Sequence, residues 1–410
     1  MAMKYVIIGN SAAGIGAVEG IRQIDRQGDI TVITDEPYHT YSRPLISYLL
    51  LGKVTEDTMK YRSDDFYEKN NCILLNAFVT EIDAETKHVI LADDARISYD
   101  KLLMGTGSTA FVPQIKGLES VMCKHTFMNL HDAKGLSGAL EKNKRVLIIG
   151  AGLIGLKCAE GIAGSVSRIT VLDLAPRVLS SILDDDGAKI IQNHLESKGI
   201  DFKLSLSINY FDKNIAVLSD GSKINFDILI LAMGVRPNTG LLNGIAEIDR
   251  GIVINEKSET TKPDIYAAGD CTQTVDISDG QKKIMALLPN AYMQGECAGI
   301  NMAGGTKSLD NMIPMNAIGF CGLHVITAGN YTGDVYTETM GNVYKRLYYS
   351  ENKLNGYILI GNVDKAGIYT NLIRERTPLD TLDFALICQK PGLIAFSKED
   401  RKIKLGGILG

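Results

Sequence analysis

Apolar residues in the first part of the chain fall into two spacings, and the order of those spacings is written twice. KYVIIG (4–9) is a short apolar run ending on glycine, SAAGIGAVEGIRQI (11–24) sets Ala, Ile and Val at helical intervals, and ITVIT (30–34) is β-branched and stops at Asp35. Such runs predict strand, helix and strand, because a helix repeats its buried face every three to four residues and a buried strand is apolar throughout. The same order returns as RVLIIG (145–150), a small-residue helix to about Gly164, and ITVLD (169–173). The repeat goes further. YDKLLMGTG (99–107) and FDILILAMG (226–234) align without a gap, each an aromatic–Asp pair leading into an apolar strand that stops at glycine.

Between strand and helix each copy carries a glycine turn. Gly150-Ala151-Gly152-Leu153-Ile154-Gly155 is G-x-G-x-x-G, with Asp173 at the end of the next strand. The first glycine makes the tight turn, the second lets backbone approach a pyrophosphate, the third permits close helix packing, and an acidic residue about 20 positions on reads a ribose hydroxyl. The first copy, Gly9-Asn10-Ser11-Ala12-Ala13-Gly14, departs from this pattern by placing Ser11 where the middle glycine stands. One such turn is weak evidence. Two, each in a β-α-β context, predict two dinucleotide sites.

Composition narrows the class. At 410 residues, two or three domains are expected. A net charge of −5 argues against nucleic acid as a partner, yet residues 341–410 hold 11 Lys and Arg against 7 Asp and Glu, a local excess of +4. The seven cysteines (72, 123, 158, 271, 297, 321 and 388) are scattered, with no C-x-x-C and no Cys/His metal spacing, so neither a metal site nor a disulfide framework is expected. MAMKYVIIGN runs straight into a strand, and no apolar run reaches the ~18 residues of a membrane span. The expectation is a soluble cytoplasmic protein without membrane insertion, its oligomeric state left open.

The motifs GNSAAG, YSRP, MGTGSTAFVP, GAGLIG, AMGVRPNTGLL and KPDIYAAGDCTQ follow one another in this order. Together they resemble the FAD- and NAD(P)-dependent pyridine nucleotide-disulfide oxidoreductase superfamily, most of all its NADH:rubredoxin oxidoreductases, with nitrite-reductase-type and ferredoxin-reductase-like flavoproteins nearby. The resemblance runs from residue 4 to about 305, and more loosely to the end. It implies an α/β fold: two Rossmann-like, three-layer dinucleotide-binding domains and a small C-terminal α+β domain. A discontinuous FAD domain (1–112 and 247–308) would enclose an NAD(H) domain (113–246), and 309–410 would form an interface or acceptor domain. Within the last, VYKRLYYSENKLNGYILIG reads as two alternating strands around a polar turn.

The same resemblance assigns residues. Gly9, Ser11, Ala12, Ala13 and Gly14 would hold the FAD pyrophosphate, and either Asp35 or Glu36 its ribose. Arg43 and Pro44 would lie beside the FAD phosphates or the flavin, Thr106, Gly107 and Ser108 would close over FAD, and Gly269 with Asp270 would meet its ribityl or phosphate region. Gly150, Gly152, Leu153, Ile154, Gly155 and Asp173 would hold NADH in preference to NADPH, with Gly234 closing the repeated strand. Pro289 and Asn290 open a helix within residues 287–305 whose positive end would face the flavin pyrimidine and stabilise negative charge there; a buried small-residue helix with no electronic role is the alternative.

Two departures matter. Family members that reduce disulfides place a cysteine near Ser42, alone or as C-x-x-x-x-C, and neither occurs here. A hydroxyl cannot cycle between thiol and disulfide, so electrons would leave the flavin by another route. Many relatives also carry Glu at the slot of Lys157 and an aromatic at that of Leu153; Glu160 lies three residues on from Lys157. No catalytic side chain is assigned, and His39, His88, His125, His131, His194 and His324 are read as structural. The implied activity is NADH:acceptor oxidoreduction through FAD to a small acidic iron-sulfur or rubredoxin-like carrier, met by C-terminal cations including Lys345, Arg346, Arg374, Arg376, Arg401, Lys402 and Lys404. An NADH oxidase or a reductase of quinone, peroxide or disulfide is the alternative, with a redox-sensing flavoprotein behind it.

Overall fold

The computed structural model describes residues 2–406. They pack as two compact units: one holds the chain to Pro176 with Gly199–Val275 and Lys282–Asp310, the other Arg177–Lys198, Asp276–Gln281 and the chain from Asn311 onward.

In the first unit the opening β-α-β is β1 (Lys4–Ile8), α1 (Ala12–Ile24) and β2 (Asp29–Thr34), followed by α2 (Ile46–Leu50), β3 (Cys72–Asn76) and β4 (Lys101–Met104). The second copy runs through β5 (Lys124–His125), α3 (Leu130–Ala139), β6 (Arg145–Ile149), α4 (Leu153–Ile162), β7 (Arg168–Leu172), β8 (Ile200–Lys203) and β9 (Ile228–Leu231). β10 (Ile265–Ala267) and the helix Leu288–Met302 then return to the first copy. The two main sheets are ordered β3-β2-β1-β4-β10 and β8-β7-β6-β9-β5, and every pairing in them is parallel. Four strands of each correspond. The fifth comes from opposite sides of the sequence: β10 from far beyond the second copy, β5 from just before it.

The aromatic–Asp signature has a physical job. Asp100 Oδ2 accepts the Lys4 N–H at 2.8 Å and the Asp100 N–H returns to the Lys4 carbonyl at 2.8 Å; Asp227 makes the same pair of bonds with Arg145, both at 2.8 Å. Each Asp thereby fixes the register at which the later strand joins the first. The preceding Tyr99 and Phe226 are buried, 3 % and 1 % exposed. Leu102, Leu103 and Met104, like Ile228–Leu231, are buried on both faces of their strands, so periodicity alone does not set their register and the Asp lock does.

The second unit is built on an antiparallel sheet of β11 (Met315–Phe320), β12 (Leu323–Gly329), β13 (Asp334–Met340), β14 (Val343–Ser350) and β15 (Lys353–Ile360), ordered β11-β12-β15-β14-β13. The hairpin expected in VYKRLYYSENKLNGYILIG is β14–β15, turning at Glu351 and Asn352, both with positive φ. The helix Ala366–Arg374 packs on this sheet, with Tyr357 and Thr370 hydroxyls 2.7 Å apart. Helix α5 (Asp185–Glu196), which lies between β7 and β8 in sequence, groups here. Asp184 explains why: Oδ1 caps α5 through Gly187 N–H at 2.9 Å, while Oδ2 accepts from Tyr344 (2.7 Å), Arg346 (3.0 Å) and Tyr348 (3.1 Å). Residues 177–198 and 276–281 thus pack with the C-terminal unit, although by sequence they fall within 113–246 and 247–308.

Candidate functional site

The two glycine turns have nearly the same backbone. Gly9 has φ +114° and Gly150 φ +115°, and a Cβ on either would run into a carbonyl of the neighbouring strand end, Gly105 or Ala232. At Gly14 and Gly155 a Cβ would collide with the carbonyl of the turn's own first glycine. The middle positions, Ser11 and Gly152, are both extended helix N-caps; the Ser11 hydroxyl makes no capping bond and Gly152 has no side chain to make one. The first N–H groups of α1 and α4 therefore open onto the turn, the arrangement that receives a phosphate. No protein atom lies within 4 Å of a would-be Cβ at Gly152. Ala12 and Ala13 are buried, Leu153 and Ile154 half-buried.

Around the first turn, Asn10 Oδ1 accepts the Tyr67 hydroxyl at 2.6 Å and His39 stands edge-on to the Tyr67 ring at 5.2 Å. Thr40 Oγ1 and His39 Nε2 are buried and have no hydrogen-bond partner. Buried polar atoms left without partners cost stability unless a ligand engages them. Uncapped helix N–H groups beside orphaned polar atoms fit a bound dinucleotide.

The open choice between Asp35 and Glu36 becomes sharper. Glu36 is taken: its carboxylate pairs with Arg43 and accepts the Tyr41 hydroxyl at 2.6 Å, while Asp35 is exposed. Burial pushes the Tyr41 phenol well above its ordinary range, and its oxygen in turn accepts the Leu130 N–H at 2.9 Å. Arg43 is thereby held on Glu36; Pro44 is exposed, and the Ser42 N–H bonds the Met59 carbonyl at 2.8 Å.

Thr106, Gly107 and Ser108 are held by a residue that sequence reasoning passed over. Asn238 accepts Thr106 Oγ1 through its carbonyl at 2.7 Å, donates Nδ2 to the Thr106 carbonyl at 2.9 Å, and bonds Gly107 O through its N–H at 2.9 Å. Ser108 Oγ lies 3.4 Å from Asp270 Oδ2. Burial raises the Asp270 carboxyl above the usual range, with the Arg43 charge acting against it. Gln294 was missed as well: Oε1 accepts the Gly269 N–H at 2.7 Å and Thr272 Oγ1 at 3.1 Å. It sits on α6 (Leu288–Met302), the helix with Pro289 at its exposed start and buried Asn290 beside it. An amide in the middle of the helix, directly beside Gly295, was the signal available.

At the second turn, Asp173 directly follows β7, with Oδ2 accepting the Ala151 N–H at 2.6 Å and Oδ1 the Ala175 N–H at 2.8 Å. The carboxylate is fixed against the turn and half-exposed, with Leu174 beside it 73 % exposed. Gly234 (φ +99°) offers its carbonyl to Phe111 N–H at 2.9 Å. All seven cysteines are free thiols. Cys271, next to Asp270, is fully buried, and burial raises its pKa. Among the described residues no group of His, Cys, Asp and Glu is arranged to hold a metal, and no helix is long and apolar enough to cross a membrane.

The C-terminal cations require a correction. Lys345 Nζ is bound to Glu338 (2.8 Å) and the Cys388 carbonyl (2.9 Å), Arg346 belongs to the Asp184 cluster, and Arg374 Nε is buried. Lys345 and Arg346 serve the unit's own packing, while Arg374 Nε has no hydrogen-bond partner. Arg376 and Lys402 are exposed, Arg401 half-exposed, and the Lys404 side chain lies outside the described ones.

Residues 3–295 match the family described as pyridine nucleotide-disulphide oxidoreductase. Over 92% of its length the chain is 30% identical to 93% of the NADH-dependent phenylglyoxylate dehydrogenase subunit epsilon of Aromatoleum evansii. It is 28% identical, over 88% of this chain and 91% of the relative, to the NADH-rubredoxin oxidoreductase of Clostridium acetobutylicum. It spans about half the length of two Bacillus subtilis relatives. Among solved structures, the covalent putidaredoxin reductase–putidaredoxin complex shares the fold, with a TM-score of 0.88 at 22% identity over 100% of both chains. The chain belongs to the pyridine nucleotide-disulphide oxidoreductase family and is an NAD(P)H-dependent flavoprotein oxidoreductase.

Proposed function

We propose that this member of the family holds FAD on the first glycine turn and NADH on the second, and passes electrons to a small iron-sulfur or rubredoxin-like protein without a redox-active disulfide. The observation that carries the reading is the duplicated turn with unequal surroundings: orphaned polar atoms and α6 at one, a fixed carboxylate and free space at the other. A flavin held there would supply the change from two-electron hydride chemistry to one-electron transfer that this pair of partners requires.

In this reading Gly9, Ser11, Ala12, Ala13 and Gly14 present α1 N–H groups to the FAD pyrophosphate, and Asp35 takes the ribose because Glu36 is occupied. Thr106, Gly107 and Ser108, braced by Asn238, cover the cofactor. Gly269 and Asp270, braced by Gln294, meet its ribityl chain, and Asn290 stands in the first turn of α6, the helix end that favours negative charge. Gly150, Gly152, Leu153, Ile154 and Gly155 receive the second pyrophosphate. Asp173 accepts ribose hydroxyls and repels a 2′-phosphate, which favours NADH. A route without thiols is supported by Ser42 and by the burial of Cys271.

The test has three arms. Cofactor extraction should yield one FAD per chain; stopped-flow mixing should show faster flavin reduction by NADH than by NADPH; and rubredoxin or ferredoxin should be reduced faster than O2 or a quinone. If O2 or quinone is reduced as fast as any protein, the oxidase or small-molecule reductase reading takes its place. A second reading draws on the relative from Aromatoleum evansii, of similar length and named as a dehydrogenase subunit. In it the acceptor is a fixed partner subunit, and the protein purified from its own cells should keep a second subunit at constant ratio.

A further inference from the structure

We infer that Lys157 makes the second nucleotide site favour the reduced nicotinamide over the oxidised one. Lys157 and Glu160 pair on α4 with side chains only 12 % and 6 % exposed, whereas Arg346 and Asp184 remain 25 % and 17 % exposed. The Lys157 ammonium also lies 4.5 Å from the centre of the Tyr48 ring on α2. Burying an ion pair costs desolvation that its attraction seldom offsets, so its presence calls for another reason.

Position supplies one. Lys157 is the fifth residue of α4, so its Cα lies about 6 Å along the axis from the helix start, and helical side chains lean back toward the N-terminus. Of the two charged residues Lys157 has its Cα nearer the glycine turn, by three residues or about 4.5 Å of helix rise, so in the proposed reading the cation is the nearer end of the pair. The contact with α2 fixes which face this is: α2 follows directly on Arg43 and Pro44, and Gly161 lets the two helices approach until a Cβ there would lie 3.0 Å from the Ser47 carbonyl. The nicotinamide ring of NAD+ carries a positive charge that the ring of NADH lacks, while pyrophosphate and adenosine are common to both. A cation held at that face weakens NAD+ alone, by about 5- to 10-fold at an effective dielectric near 20 with Glu160 offsetting part of the charge. Product release is thereby favoured over rebinding, and electrons are drawn outward from NADH.

The inference rests on the proposed NADH site, and the experiment separates the two. Calorimetric titration of the flavin-loaded protein with NAD+, with tetrahydro-NAD as a reduced analogue unable to give up hydride, and with ADP-ribose gives three dissociation constants. Lys157→Met should lower the ratio of the NAD+ to the analogue constant 5- to 10-fold, Lys157→Arg should keep it, and ADP-ribose affinity should stay within two-fold. Lys134→Met is the control, since Lys134 pairs with Glu56 at 2.8 Å and lies 4.6 Å from the Tyr38 ring with side chains 40 % and 52 % exposed, the same trio of residue types in the open. If Lys157→Met strands the Glu160 charge and fails to fold, Lys157→Met/Glu160→Leu reads the same ratio. An unchanged ratio with intact ADP-ribose binding overturns the inference alone; wild-type protein that binds no ADP-ribose overturns the site with it.

Discussion

The two dinucleotide-binding halves of the first unit share strand order, turn geometry and the Asp that sets strand register, yet they are closed in different ways. α6 crosses α1 so closely that a Cβ on Gly16, Gly20, Gly295 or Gly299 would strike backbone of the opposite helix. α4 is met by the five-residue α2, with the one close approach at Gly161. A helix seated on small residues over fifteen positions is a tight lid of long contact, while a five-residue helix meeting α4 at Gly161 is a cover of short contact. The difference teaches that one nucleotide scaffold can be tuned for retention or for exchange by what covers it, with the turn itself left alone. That asymmetry suits a resident cofactor in the first half and a substrate that comes and goes in the second.

The comparison is broken most directly at the first glycines. Gly9→Ala and Gly150→Ala each place a Cβ where φ near +115° and a carbonyl forbid it. Strain of this kind, about 1–3 kcal/mol, corresponds to roughly 10–100-fold in binding. Gly9→Ala should lose flavin on purification, whereas Gly150→Ala should stay yellow and lose reduction by NADH about 100-fold; equal flavin loss in both would show that the halves are not divided in this way. Next in size is the ribose carboxylate. Asp173→Ala with Leu174→Arg should raise the NADPH-to-NADH ratio of kcat/KM by about 10–200-fold, and steady-state kinetics with both nucleotides checks it.

The middle turn residues sharpen the comparison further. Gly152→Ser meets no protein atom, so its expected cost, about 10-fold in NADH affinity, falls on the ligand. Ser11→Gly should leave FAD content unchanged. A Gly152→Ser variant with normal affinity in fluorescence titration would mean that the nucleotide does not approach this backbone. The smallest effect is expected at Asp227, whose carboxyl is held below the ordinary range by hydrogen bonds from Arg145. Since the folded state binds this proton less tightly than the unfolded one, its contribution is present above the unfolded pKa of about 4 and is lost as pH falls through the lowered value. Asp227→Asn should cost about 0.5–1 kcal/mol at pH 7 after allowance for solvent screening, and nothing in strong acid. Urea unfolding across pH measures it.

What the sequence revealed depended on how far apart the cooperating residues lie. The strands, both turns and the paired Tyr99-Asp100 and Phe226-Asp227 were legible because periodicity and turn chemistry are properties of a dozen consecutive residues. The Asn238 brace on Thr106, the Gln294 anchor at Gly269 and the Asp184 cluster that draws α5 to the C-terminal sheet each join residues far apart in the chain, where no local spacing betrays the partner. The same blindness misread Arg346 as part of a docking face. A count of charges registers a cation but not the carboxylate, 162 residues away for Arg346 and Asp184, that neutralises it.

The crossing of β10 and α6 back to the first sheet also sets an order of events at the ribosome. When the chain has emerged only as far as β9, the second sheet has every strand it needs, while β4 is still an unpaired edge and the glycine face of α1 is still bare. Domains fold largely as units as they are synthesised, and an unpaired edge invites wrong partners. The inserted half is therefore finished first, inside a half that must wait for it. The face of α1 that α6 covers is among the last parts of the first unit to be built, and the nascent protein is most exposed to misassembly in the interval before that helix arrives.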